Sequence, residues 1–363
     1  MISFLLILSA SLYLAFVVFI ITGLFKHSEQ HFNTYDDPPF VSIIIAARNE
    51  EFHLPNLIQD LIKQDYPTDK LEVIIINDRS TDSTQDIINE AESNYSFIKQ
   101  ITISEISQEM MPKKYALTQG INIAKGEIIL STDADCRLGK LWISSMVYSV
   151  ISNQSIIVGY SKINAQSFFE HYQKIDFLGI MAANAGAGGW GKFWSGTGQN
   201  LGYLKKDFDL INGFESVKNE ASGDDMHLVQ SISKINSAKI NIEAASFVTT
   251  AAMATIPKFL NQRIRWASNS KKNMDKQPLF FLFLSSAFMT NTFLLLSFLL
   301  NVSLWKIIFL LKFIFEGLTV YFGGRLFDTQ IKLLPYIIWS LAQPFYIPIV
   351  AILGIINKYS WKK

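Results

Sequence analysis

The chain has 363 residues, 49% of them hydrophobic, and a mean hydropathy of +0.22, which is high for a soluble protein. Thirty-two basic against 31 acidic side chains leave a net charge of +1, so there is no electrostatic case for a nucleic-acid partner. A single cysteine, Cys136, excludes an intrachain disulfide and suits a reducing compartment.

The first element is apolar. Ile2 to Phe25 contains no charged side chain, enough to cross a hydrocarbon core that needs about 20 residues. Signal peptides carry a basic n-region before a shorter apolar run, whereas here the first lysine, Lys26, follows it. An uncleaved anchor over residues 1–27 is expected. A polar region from about Asp36 to Gln277 comes next, large enough to bury its own core. It opens with the β-branched run Phe40–Ala47, read as a buried parallel strand. Leu54, Leu57, Ile58, Leu61 and Ile62 then share one helical face. Leu71–Asn77 predicts a second strand ending in the polar turn Asp78–Asp82, which caps a helix through Ile87, Ile88 and Ala91. A third strand is expected at Ile98–Ile103, a helix over Lys114–Ala124, and a further strand over Glu127–Ser131. Alternating strands and helices imply a doubly wound, mostly parallel α/β sheet, with ligands beyond the carboxyl ends of its strands. Asn49-Glu50, Asp78 and Asp133/Asp135 all fall at those ends. Gly186, Gly188 and Gly191 spell a dinucleotide fingerprint, but they follow the helix-like stretch Phe168–Ala183 rather than a strand, which argues against that use.

Three apolar stretches close the sequence: Pro278–Leu300, Leu304–Tyr321 and Leu333–Ile356. The second carries Lys312 and Glu316 one helical turn apart, where they can pair; it either spans or lies in the interface. Pro335, Pro344 and Pro348 make the third either kinked or a re-entrant hairpin. Lys26 on one side of the polar region and Lys271, Lys272 and Lys276 on the other place that region in the cytosol by the positive-inside rule. Three full C-terminal crossings, however, would put Lys358, Lys362 and Lys363 outside, against the same rule.

Five groups of residues carry chemistry. Asp133 and Asp135, two apart in a turn after an apolar strand, can hold a hard divalent cation against a diphosphate, or serve as a cap or Asx-turn. Asp78 can accept from a nucleobase or ribose, or cap the next helix. Lys113 and Lys114 can meet phosphate oxygens or simply be solvated. In Ser222-Gly223-Asp224-Asp225, before a helix expected near Met226, one acid can act as general base, its proton affinity raised by the other; capping is the plain alternative. In Gln262-Arg263-Ile264-Arg265-Trp266, Arg can pair with a diphosphate and Trp stack on a sugar, or both can anchor at a membrane interface.

Taken together, the segments Val41–Glu51, Ile74–Thr84, Lys113–Asp135, Ser195–Phe214, Gly223–Asp225 and Gln262–Trp266 resemble the membrane-bound family 2 glycosyltransferases, in that family's order over about Phe40 to Trp266. The resemblance implies the GT-A nucleotide-sugar fold, with one N-terminal and two to three C-terminal transmembrane helices. It divides the chain into an anchor (1–27), a cytosolic catalytic domain (36–277) and C-terminal membrane segments (278–357), in a multi-pass protein of the cell membrane. It further implies that Ala46, Arg48, Glu50, Asp78 and Lys113 frame the donor, that Asp133 contacts ribose or diphosphate, and that Asp135 with Asp133 holds Mg²⁺ or Mn²⁺. Asp225, beside Asp224, would be the catalytic base, and Gln262, Arg265 and Trp266 would hold diphosphate and acceptor. Two departures stand out: Asp224 occupies a place where the family often has Glu, and Ala46 replaces the Pro usual after the first strand. The expected reaction is inverting transfer from a nucleotide-sugar, expected to be a UDP-sugar, to a lipid-linked acceptor. A processive polysaccharide synthase normally needs more spans than are found here, and intact acids at Asp78, Asp133, Asp135 and Asp225 argue against a non-catalytic sugar-binding scaffold.

Overall fold

The computed structural model describes residues 1–28, 32–33 and 35–360; Lys362 and Lys363, and the side chain of Lys272, lie outside the described residues. In chain order the elements are α1 (Ile2–Leu24), β1 (Val41–Ala47), α2 (Leu54–Ile62), β2 (Leu71–Asp78), α3 (Thr84–Asn94), β3 (Ile98–Ile103), α4 (Pro112–Ile123), β4 (Ile128–Ser131), β5 (Arg137–Leu138) and α5 (Trp142–Asn153). Then follow β6 (Ile156–Val158), β7 (Ser161–Asn164), α6 (Phe168–Gly189), β8 (Leu201–Leu204), α7 (Lys205–Leu210), α8 (Asp224–Ile235), β9 (Ala238–Ile240) and β10 (Val248–Ala251). The last helices are α9 (Ile256–Ala267), α10 (Asn273–Lys276), α11 (Pro278–Leu299), α12 (Trp305–Leu326) and α13 (Leu333–Ile355).

These elements form two compact units, and the units do not follow the linear division expected from the sequence. One consists of Ser28–Lys162 and Ser195–Ala251, the other of Met1–His27, Ile163–Trp194 and Ala252–Lys363. Helices α6 and α9 therefore pack with the apolar helices.

In the first unit a seven-stranded sheet runs in the order β3-β2-β1-β4-β8-β6-β9, beside a small sheet β5-β10-β7. Both neighbours of β1 are parallel to it, Val41 pairing with Leu71 and with Ile128. Strands β1 and β2 are covered on both faces and read as continuous apolar runs for that reason. Val41, Ile43 and Ile45 share a core with Leu54, Leu57 and Leu61 of α2. On the opposite face α4 approaches closely, since a Cβ on Gly120 would stand 2.7 Å from the Ile76 side chain and 3.0 Å from that of Ile44. Strand β8 is antiparallel to β4, with Ser131 opposite Leu201. That reversal brings the segment before β8 to the same edge as the ends of β1, β2 and β4.

The second unit holds four helices long and apolar enough to cross a membrane: α1, α11, α12 and α13. Its interior is polar in places: Glu316 accepts from Lys312 Nζ of its own helix at 2.8 Å and from the Tyr13 hydroxyl at 2.6 Å, so a hydrogen bond from α1 to a buried charge pair within α12 ties the two helices. The expected pairing of Lys312 with Glu316 is present. The third apolar stretch is not a hairpin: α13 is one helix with Pro344 and Pro348 inside it, while Pro335 lies near its start, where a missing N–H costs little.

Candidate active site

The site grows from the carboxyl edge of the large sheet. Asn49, just after β1, takes a left-handed conformation (φ 53°). Its side chain accepts from Thr81 N–H at 2.8 Å, and its own N–H donates to Ser80 Oγ at 3.0 Å. Glu50 N–H donates to Thr84 Oγ1 and Glu51 N–H to Asp82 Oδ2, while Ser83 N–H returns a bond to Glu51 Oε2. The two polar turns visible in the sequence thus brace each other, fixing Arg48 and Glu50 after β1 and Asp78 at the end of β2. Asp78 is buried and accepts from Arg79 Nε at 2.7 Å and Nη2 at 3.1 Å. Ala46 lies inside β1 opposite Ile76.

Past β4, Asp133 and Asp135 stand in the turn to β5. Burial, Asp133 and Glu50 push the Asp135 carboxyl up to about 6. Lys113, in the first turn of α4, places Nζ 2.8 Å from Asp133 Oδ1 and 3.7 Å from Asp224 Oδ2. Burial alone would lower its pKa, but Asp133, Asp224 and Asp225 together raise it. One ammonium therefore joins the acid after β4 to the acid pair that opens α8. Helix α8 starts at Asp224, two residues earlier than expected, because Gly223 takes φ 82° as its N-cap. Asp225 accepts from Gly198 N–H at 3.2 Å and from Met226 N–H at 2.7 Å. Burial and the neighbouring Asp224 push it up to about 6.

Three residues also shape the site through contacts that the sequence does not foretell. Lys114 is not solvated: its buried Nζ donates to the carbonyl of Glu220 at 2.6 Å and to that of Ser222 at 3.4 Å, holding the turn before the acid pair. Asn200, fully buried, accepts from Trp142 Nε1 at 3.0 Å and donates to the carbonyls of Tyr160 and Ser246. It fixes the turn from which Gly198 reaches Asp225. A side chain on Gly198 would point between Lys113, Asp224 and Asp225, its Cβ 3.5 to 3.9 Å from each.

The donor set fits a hard cation. Among the described residues no three His, Cys, Asp or Glu side chains are grouped to enclose a metal by themselves. Two crowded carboxylates, one with a raised pKa, instead suit a divalent ion that shares its sphere with phosphate oxygens. Gln262, Arg265 and Trp266 belong to the other unit, on α9. Between them Arg263 is buried, donates to Asp176 Oδ2 of α6 at 2.7 Å, and lies over the rings of Phe259 and Trp266, 4.6 and 4.2 Å from their centres.

A family model described as "Glycosyl transferase family 2" matches residues 42–212. Residues 42–212 form a glycosyl transferase family 2 domain. The family 2 domain contains Glu50, Asp78, Lys113, Asp133, Asp135 and Gly198, and the acid pair of α8 lies a short distance beyond it. The probable glycosyltransferase YdaM of Bacillus subtilis is 26% identical over 238 residues, covering 64% of this chain and 56% of that protein. A beta-monoglucosyldiacylglycerol synthase of Nostoc is 40% identical over 100 residues, 28% of this chain and 21% of that one. The chain thus spans about half the length of the first relative and a fifth of the second. Among solved structures, the mannosyltransferase PcManGT from Pyrobaculum calidifontis, in complex with GDP-Man and Mn2+, superposes with a TM-score of 0.65 at 16% identity, covering 99% of this chain and all of that one. The fold is accordingly GT-A-like, with a mostly parallel sheet and, in the other unit, one N-terminal and three C-terminal apolar helices.

Proposed function

We propose that this chain is a membrane-bound inverting glycosyltransferase that moves one sugar from a nucleotide-sugar to a lipid-linked acceptor, with the sheet unit in the cytosol of a cell whose membrane holds the apolar helices. The observation that carries the reading is Lys113, whose single ammonium contacts both Asp133 and Asp224. The donor-side acids and the acid pair suited to an acceptor therefore share one site. In this reading Asp78 and the turn Arg48–Glu50 receive the nucleoside, and Lys113 meets diphosphate oxygens. A divalent ion held by Asp135 and Asp133 would supply countercharge to the leaving diphosphate. Asp225 takes the proton of the acceptor hydroxyl; its oxygen bonds to the anomeric carbon as the bond to the diphosphate oxygen breaks on the opposite face. Gln262, Arg265 and Trp266 hold diphosphate and acceptor.

A lipid acceptor is supported by the apolar helices and by the diacylglycerol named for the Nostoc relative. A UDP donor remains the expectation from sequence, and GDP-sugars belong in the same test because the solved neighbour holds GDP-Man. Purified full-length protein is to be given labelled UDP- and GDP-sugars, total lipid extract and Mn²⁺, with product mass measured. A single-sugar lipid is the expected product. A polymer would replace this reading with a processive synthase, and no transfer or donor hydrolysis with any donor would end it.

A further inference from the structure

By length alone α13 can cross a bilayer, and as a crossing helix it would carry Lys358 away from the side on which α11 begins. Contacts within the apolar unit point elsewhere. Trp339, near the start of α13, donates from Nε1 to Asp176 of α6 at 3.0 Å. Seven residues on, Tyr346 stacks on Phe259 of α9 with centroids 5.9 Å apart. Eight residues further, a Cβ on Gly354 would stand 2.8 Å from Ala267, at the other end of α9, and 3.0 Å from Ser268 N. The steps from 259 to 267 and from 346 to 354 are equal, so α9 and α13 lie side by side and parallel for at least two turns. Beyond its end the chain folds back onto α9, where Asn261 Nδ2 donates to the Ser360 carbonyl at 2.7 Å and Ser360 N–H to Asn261 Oδ1 at 2.8 Å.

Helix α9 is not a spanning helix: it carries Lys258, Asn261, Gln262, Arg263 and Arg265 within three turns. It also precedes α11 by only ten residues and is tied to α6, which packs on the C-terminal end of α1 through Gly186 and Gly23. The end of α13 therefore lies on the side where α1 finishes and α11 begins, and its start goes no further than the middle of α12, where Tyr336 donates to the Phe313 carbonyl. The outer edge of α13 is a single apolar stripe at helical spacing, Leu334, Ile338, Leu341, Phe345, Ile349 and Ile352, each 40% exposed or more. Such a stripe on a helix whose other face is buried against protein suits insertion into one leaflet.

We infer that α13 lies in the plane of the membrane, its stripe against the acyl chains of a single leaflet, and that only α1, α11 and α12 cross. The charge distribution agrees. With three crossings, Lys26, Lys271, Lys276, Arg325, Lys332 and Lys358 all fall on one side of the membrane, and the turn from α11 to α12 on the other side is followed by a single lysine, Lys306. The conflict posed by the C-terminal lysines then disappears.

This inference rests on the membrane reading above but not on catalysis, and a labelling experiment separates the two. The only native cysteine, Cys136, is buried, so full-length chains carrying E90C, S303C or K358C can be treated in intact cells with a membrane-impermeant maleimide. S303C, between α11 and α12, is expected to label at once; E90C and K358C should label only after permeabilisation. K358C labelling like S303C would show that α13 crosses and overturn the inference. S303C behaving like E90C would overturn the multi-pass reading itself, and the placement of α13 with it.

Discussion

Asp225 sits in the first turn of α8, next to Asp224 and over the N–H of Gly198, and its carboxyl is pushed up to about 6 by burial and by that neighbour. A general base must be ionised to work, so kcat/KM should fall about tenfold per pH unit below about 6 and level off above it; a rate unchanged down to pH 5 would remove Asp225 from the role. Asp225→Asn should cut turnover by roughly 10²-fold or more while donor binding, followed by calorimetry, survives. The same substitution has an effect on stability of opposite sign. A carboxyl whose pKa the fold raises favours folding while protonated, a contribution present below about pH 4 and lost as pH rises through about 6. Asn does not suffer that loss, so at pH 7.5 the variant should melt higher, by the equivalent of about 1–2 kcal/mol once solvent at a part-buried side chain is allowed for. Arg263 offers a second test. Its planar guanidinium lies over Phe259 and Trp266 and pairs with Asp176, a geometry lysine cannot reproduce. Arg263→Lys keeps the charge but not the planar fork, so the detergent-solubilised variant should melt lower, by the equivalent of about 1–3 kcal/mol; an unchanged melting temperature would mean that an ammonium satisfies Asp176 equally well.

Glycines decide how two of the helices meet. A Cβ on Gly186 of α6 would lie 2.4 Å from the Ile20 carbonyl oxygen, and one on Gly23 of α1 would lie 1.8 Å from the Gly186 oxygen. The backbones touch there, as small residues allow when helices cross closely. Gly186→Ala should therefore destabilise the detergent-solubilised protein by about 1–3 kcal/mol, read as a lower melting temperature, whereas Gly139→Ala, whose nearest neighbour is 4.0 Å away, should not. Equal melting temperatures would mean that the crossing relaxes freely. The literal Gly-x-Gly-x-x-Gly of residues 186–191 thus begins inside a helix and serves packing, in keeping with its position after a helical stretch rather than a strand. Long elements with a clear period were legible in this way: β1, β2, β3, α2 and α4 fall within two residues of their expected bounds. Strands of two to four residues such as β5, β6, β7 and β9 were not, because so short a run carries no period to read. Neither were the roles of Lys114 and Asn200, whose partners are carbonyls of residues 40 or more positions away. The acids of the candidate site were legible because each ends a strand or starts a helix, and the sheet order then brings those ends to one edge.

At the scale of the whole molecule, the two compact units are interleaved along the chain rather than strung in series. Helix α6 leaves the sheet unit after Lys162, packs among the apolar helices, and the chain returns at Ser195. Its buried face carries Ile175, Leu178, Met181 and Ala182, and Ala182 meets α12 at Gly323 while Asp176 is paired with α9 and α13. A chain ended at Ala251 would keep every strand of the large sheet, and a linear reading of the domains predicts that it folds as well as the full protein. The interleaving predicts the opposite. Without α9, α11, α12 and α13, the buried face of α6 loses its partners, each large apolar side chain forfeiting about 1.5–3 kcal/mol of burial, and Asp176 loses both of its donors. Against a total stability of about 5–15 kcal/mol, losses of that size should leave the truncated chain aggregated or loosely folded. Size-exclusion chromatography with a thermal melt in the same detergent decides: a monodisperse truncated chain that melts cooperatively at the full-length temperature would show that the sheet unit stands alone and that α6 is a passenger on it.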